Sequence, residues 1–117
     1  MMSKQPTRYY SSLQEQKVAK MIGGNTVANS GAGKWKKGDV VQYDASILIE
    51  CKTTTSDKTS FSIKKEWLDK VKDDAFSNRI ENTAVAFSYD SDCKDMYFVI
   101  DEKLMRFLIE KLTEENA

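Results

Sequence analysis

Asp39 precedes Glu50 by eleven positions, and Lys52 follows two residues later. All three crowd around the most apolar run of the chain, Ile47, Leu48 and Ile49. Two carboxylates brought to one point repel, and a hard divalent cation relieves that repulsion. Mg²⁺ prefers carboxylate, carbonyl and water oxygens in octahedral geometry. Such an ion polarises a phosphate and lowers the pKa of water bound to it. An ammonium beside it would stabilise the charge that develops on phosphorus-bound oxygens in the transition state. A plain Glu50–Lys52 salt bridge accounts for two of these residues and leaves Asp39 unexplained.

Side chains alternate along a strand, so Leu48, Glu50 and Lys52 share one face, while Ile47, Ile49 and Cys51 share the other. Strands are predicted at 38–43 and 46–52, and if they pair as a hairpin, Asp39 falls opposite the end of the second. Upstream, Ser12 with Glu15 three residues on has the spacing of a capping box, opening a helix that stops at Gly23-Gly24. Residues 1–11 read as a loose arm. On that helix Glu15 shares a face with Val18, Ala19 and Ile22, so a second use for Glu15 is to point at the sheet, where desolvation would demand a cation or a donor.

The remaining elements follow from periodicity. A short strand is expected near 25–29. Ile63, Trp67, Val71 and Ala75 recur every four residues and predict a helix over 63–79. Strands are expected at 83–89 and 96–100, joined by the acidic turn YDSDCKD. A last helix places Leu104, Phe107, Leu108 and Leu112 on one stripe. The order α-β-β-β-α-β-β-α predicts an α+β sandwich, with a mixed central sheet of about five strands flanked by helices.

Histidine is absent, which excludes His general bases, Ser-His hydrolases and ordinary zinc sites. Cys51 and Cys93 are isolated, so neither a disulfide framework nor a CxxC metal site is indicated, and a reducing, cytoplasmic setting is expected. No segment approaches the ~20 apolar residues of a membrane span. The formal net charge of zero hides an asymmetry: residues 1–72 hold 13 Lys/Arg against 7 Asp/Glu, and residues 73–117 hold 5 against 11. A basic first half fits a polyanion-binding face.

The stretch NSGAGKW imitates a phosphate-binding P-loop but fails it twice, with Ala28 where Gly is required and Trp35 where Ser or Thr is required. Its better use is a basic loop, with Lys34, Lys36 and Lys37 against DNA phosphates and Trp35 either stacking on a base or anchoring the loop. Arg8, Lys64 and Lys65 are further candidate phosphate contacts.

Gly38-Asp39, followed by Glu50-Cys51-Lys52, resembles the PD-(D/E)xK nuclease signature, with Gly in the usual place of Pro. The wider string, from the first-helix Glu through NSGAG, KKGDV, LIECKTT and FSIKKEWLDKV, resembles the archaeal-type and phage Holliday-junction resolvases over residues 12–100. The resemblance implies a restriction-endonuclease-like nuclease domain over 12–117 that hydrolyses DNA and leaves 5′-phosphate ends. It implies that Asp39, Glu50 and the backbone carbonyl of Cys51 hold Mg²⁺, with Mn²⁺ able to substitute. It also implies that Lys52 assists the water nucleophile, that Glu15 completes the site directly or through water, and that Ser30 lies close by. A homodimer acting on four-way junctions is implied as well, in the host cytoplasm for a phage protein. Met96, Phe98, Met105 and Phe107 supply apolar material for its interface. Alternatives are a nuclease of this fold acting on other branched or duplex DNA, and a DNA-binding module of this fold without turnover.

Overall fold

Residues 47–49 belong to the middle strand of a five-stranded sheet, and everything at the site is set by what flanks that strand. The computed structural model describes residues 5–27 and 39–117. Its elements are α1 (Thr7–Ile22), β1 (Asn25–Thr26), β2 (Asp39–Gln42), β3 (Ile47–Lys52), α2 (Lys65–Ser77), β4 (Asn82–Ser88), β5 (Met96–Val99) and α3 (Glu102–Glu115). The sheet order is β1-β2-β3-β4-β5. β3 and β4 run parallel, with α2 as their crossover, and the other neighbours are antiparallel. The chain is therefore α+β, with a mixed sheet flanked by helices, as its patterning predicts.

Alternation along β3 divides two apolar cores. Leu48 packs with Val41, Val71, Ala75 and Val85 under α2. Ile49 packs with Val18, Ala19, Val40, Ala84 and Ala86 under α1. Leu48 is fully buried and Ile49 nearly so; each such side chain contributes about 1.5–3 kcal/mol relative to exposure. β3 is thus held from both faces, which fixes the direction of every side chain along it.

The first helix begins earlier than its sequence suggests. Pro6, not Ser12, occupies the cap position, and it makes no side-chain cap hydrogen bond. Proline carries a fixed φ suited to a helix start, and Tyr10 is buried one turn later, so residues 7–11, read as arm, are helical. The C-terminal end is as expected and uses both glycines differently. Gly23 adopts a left-handed φ of 68° as the cap. At Gly24 a Cβ would come 2.5 Å from the Val41 carbonyl oxygen, so only glycine lets α1 turn that closely onto β2.

Among the described residues, no helix is long and apolar enough to cross a membrane. Ser30, Lys34, Trp35, Lys36 and Lys37 lie outside the described residues.

Candidate active site

Asp39 and Glu50 are direct cross-strand partners in the β2–β3 register. The carbonyl of Asp39 accepts from Val27 N–H at 3.1 Å, on the β1 side. Asp39 therefore turns its backbone polar groups away from β3, and its pairing with Glu50 is of the non-hydrogen-bonded kind. In such pairs the Cα atoms approach to about 4.5 Å and the side chains stand closest. Both carboxylates are deeply buried, at 1% and 5% exposure. Buried charges need compensation, and here Lys52 supplies part of it: its Nζ lies 3.4 Å from Glu50 Oε2. The same buried oxygen accepts no hydrogen bond within the described structure.

Lys52 is held on a second side. Its ammonium sits 4.7 Å from the centroid of the Trp67 ring, a cation–π contact made from α2. Lys64 Nζ lies 5.8 Å from the same centroid, so this lysine is brought to the site. Behind Lys52 stands Phe87, its partner in the parallel β3–β4 register. Phe87 stacks on Phe61 at 5.0 Å and on Tyr97 at 5.7 Å. The amine thus projects between one carboxylate and an aromatic wall, with 29% of its side chain exposed.

Other sequence candidates are placed differently. Lys65 pairs with Asp69 at 2.9 Å on the exposed flank of α2, and that hydrogen bond holds its ammonium above the ordinary range. Glu15 rides on α1, which packs on the opposite face of the sheet from Glu50 and Lys52. Burial pushes its carboxyl up, against the opposing charge of Arg8. Among the described residues, no three His, Cys, Asp or Glu side chains form a group fit to hold a metal ion, so Glu15 is not gathered with Asp39 and Glu50 into one ligand set. Its charge nonetheless reaches the site's backbone neighbour. The Cys51 thiol is pushed far up, first by burial and then by Glu15, Asp39, Cys93 and Glu50.

Cys51 follows Glu50 on the strand, so its backbone groups face the opposite way from those of Glu50. Glu50 turns toward β4, because its pairing with Asp39 carries no hydrogen bonds. The Cys51 carbonyl consequently turns to the β2 side, the edge on which Asp39 stands. Two carboxylates and a carbonyl make an all-oxygen donor set, which suits a hard divalent cation.

Two participants escape sequence reading. Gln14 is fully buried, and its Nε2 donates to the Lys52 carbonyl at 2.8 Å and the Ala86 carbonyl at 3.4 Å. It bridges the ends of β3 and β4 directly beneath the lysine. Its place on the stripe with Tyr10 and Val18 was the available signal. Trp67 reads as core from its period, yet its ring faces Lys52; nothing in the sequence brings α2 over that strand end.

A wide cleft of about 1020 Å³ lies at the opposite end of the sheet, lined by Lys72, Phe76, Arg79, Ile80, Asp101 and Lys103. In comparison with known proteins, no family model, no curated protein and no solved structure matches the chain.

Proposed function

We propose that the chain is a divalent-metal-dependent DNA endonuclease of the PD-(D/E)xK type, with four-way junctions as its preferred substrate. The observation that carries this reading is the cross-strand pairing of two buried carboxylates, Asp39 and Glu50, with the Lys52 amine 3.4 Å from Glu50 at the same strand end. A structural salt bridge needs one carboxylate. Two buried carboxylates paired across neighbouring strands, beside a single amine, form the arrangement that a shared divalent cation would join.

Mg²⁺ suits the oxygen donors of Asp39, Glu50 and the Cys51 carbonyl, and Mn²⁺ would serve in its place. When bound, such an ion neutralises phosphate charge and makes water more acidic. Lys52 orients the attacking water or a phosphate oxygen and offsets negative charge as it builds. Hydrolysis adds water across the P–O3′ bond, giving a 5′-phosphate and a 3′-hydroxyl. Glu50 and Trp67 hold the lysine in place, and Gln14 fixes the backbone that carries it. Lys64, at the site, and Lys34, Lys36, Lys37, Arg8 and Lys65 are the proposed phosphate contacts. Ser30 and Glu15 remain accessory to the site.

The test is Mg²⁺-dependent cleavage of labelled four-way junction, Y-fork, duplex and single-stranded DNA of matched sequence. Fastest cleavage of the junction, with binding but no turnover in Ca²⁺, is expected. Equal rates on junction and duplex would remove the junction preference, and no cleavage of any substrate would remove the nuclease reading.

A further inference from the structure

Alternation sorts the side chains of β5. Met96 and Phe98 turn into the core under α1, which puts Tyr97 on the opposite face, the face of Leu48, Glu50 and Lys52. Register then lines up three residues across the sheet. Lys52 stands beside Phe87 in the parallel β3–β4 pairing, and Phe87 beside Tyr97 in the antiparallel β4–β5 pairing. Neighbouring strands lie about 4.8 Å apart, so the row begins at the lysine and ends at Tyr97 roughly 10 Å away.

Aromatic rings follow that row without a break. Trp67, which carries the Lys52 ammonium, lies 6.2 Å from Phe61; Phe61 stacks on Phe87, and Phe87 on Tyr97. Tyr89 joins edge-on, 5.4 Å from Phe87 and 5.7 Å from Tyr97. Packing accounts for one end of the series, since Phe87 is buried. It does not account for the other, where Tyr97 is 50% and Tyr89 37% exposed. α2 lies over β3 and β4, and the two tyrosines line a hollow of about 380 Å³ beyond it, within the size range of small-ligand sites. The hollow is braced by its own backbone. Lys58 N–H donates to the Tyr89 carbonyl at 2.7 Å, and Ser91 N–H donates to Asp57 Oδ1 at 3.4 Å.

We propose that Tyr97 and Tyr89 form a stacking platform for an unpaired base of the DNA strand whose phosphate lies at Lys52. The position of that strand rests on the nuclease reading. The platform narrows the substrate class to DNA with a base free to leave its duplex, as at a branch point. Continuity with the site is the first argument for a base as the occupant. A strand placed at Lys52 passes the tyrosines on the same sheet face, and every base offers a π face to an exposed ring. Charge is the second argument. Around the hollow Asp57, Asp90 and Asp95 outnumber Lys58 and Lys94. Asp90 accepts from Lys94 N–H at 3.0 Å and from the Ser88 hydroxyl at 2.6 Å, and these bonds hold its carboxyl below the usual range. A duplex carries one negative charge per ~1.7 Å of axis and is repelled by such a rim. An uncharged base is not, and Lys58 and Lys94 remain for the phosphates on either side of it.

The test compares two single-stranded oligonucleotides of equal length and charge, oligothymidylate and the same backbone with abasic sites throughout. Their affinities for the full chain are measured in Ca²⁺, so that binding is read without cleavage. Phosphate contacts count equally for both, and only stacking separates them. The wild type is expected to bind the thymidylate at least about fivefold more tightly, the lower end of what one stacked base contributes. Tyr97→Leu with Tyr89→Leu, checked for folding by thermal circular dichroism, should lower that ratio about fivefold by weakening the thymidylate alone. Tyr97→Phe keeps the ring and should keep the ratio. Equal affinities in the wild type would overturn the inference without any variant. So would a ratio unchanged in the double variant, or one lost in Tyr97→Phe. A base preference in a chain that cuts no DNA would remove the nuclease reading and leave the platform standing; cleavage without a base preference would do the reverse.

Discussion

Replacing Lys52 by methionine separates the electrostatics of the site from its packing. Methionine keeps an unbranched apolar stem against Trp67 and removes only the charge. At 3.4 Å from Glu50 Oε2, and with an effective dielectric near 20, the attraction is about 5 kcal/mol. Desolvation and ordering of the lysine offset part of it, and the Trp67 contact at 4.7 Å adds about 1 kcal/mol. A net loss of about 2–3 kcal/mol is expected at neutral pH and low salt without divalent ions. In a chain of 117 residues that lowers Tm by roughly 6–15 °C. Mg²⁺ should restore part of the loss, because an ion that binds only the folded state stabilises it by about 1.4 kcal/mol at ten times its Kd. Calorimetry with and without Mg²⁺ is the assay, alongside single-turnover cleavage, which should slow at least ~100-fold. Equal Tm in the wild type and Lys52→Met would refute the electrostatic argument. A variant that unfolds readily yet cleaves normally in its folded fraction would reduce the cluster to a salt bridge.

Gln14→Ala should cost about 1–3 kcal/mol by leaving the Lys52 and Ala86 carbonyls without their shared donor. It should also lower kcat more than it raises KM; unchanged kcat would deny Gln14 a positioning role. Glu15→Gln tests the other face of the sheet by pH. Burial raises the Glu15 carboxyl from its ordinary value near 4.5, so the folded chain holds this proton more tightly than the unfolded one. Its contribution to stability is then fullest below about pH 4.5 and declines as pH rises through the raised value. Glu15→Gln should therefore raise Tm at pH 7.5 and change it little at pH 4, and an equal effect at both would contradict the burial argument.

The site's local geometry was legible because strand physics is local. Alternation put Glu50 and Lys52 on one face, and the short turn between β2 and β3 left Asp39 opposite Glu50. The element order followed from the same periodicities, with boundaries shifted by a few residues. The start of α1 was misread because the Ser12–Glu15 spacing imitates a cap, while Pro6 and the packing of Tyr10 carry the helix further back. Gln14 and Trp67 depend on how two helices approach opposite faces of β3, which no single stretch encodes. The stripe of α3 announced a helix, but an amphipathic pattern does not say that its face will be covered, and α3 buries none of its residues.

The central claim is that Asp39 and Glu50 together hold the ion on which DNA hydrolysis depends. The most direct measurement is the single-turnover cleavage rate of a labelled four-way junction as Mg²⁺ is titrated from zero, for the wild type, Asp39→Ala and Glu50→Ala. The account predicts a saturable Mg²⁺ dependence in the wild type, with cleavage abolished in both variants while junction binding stays intact or tightens as a repelling charge is removed. Substantial Mg²⁺-dependent cleavage by either variant would contradict it.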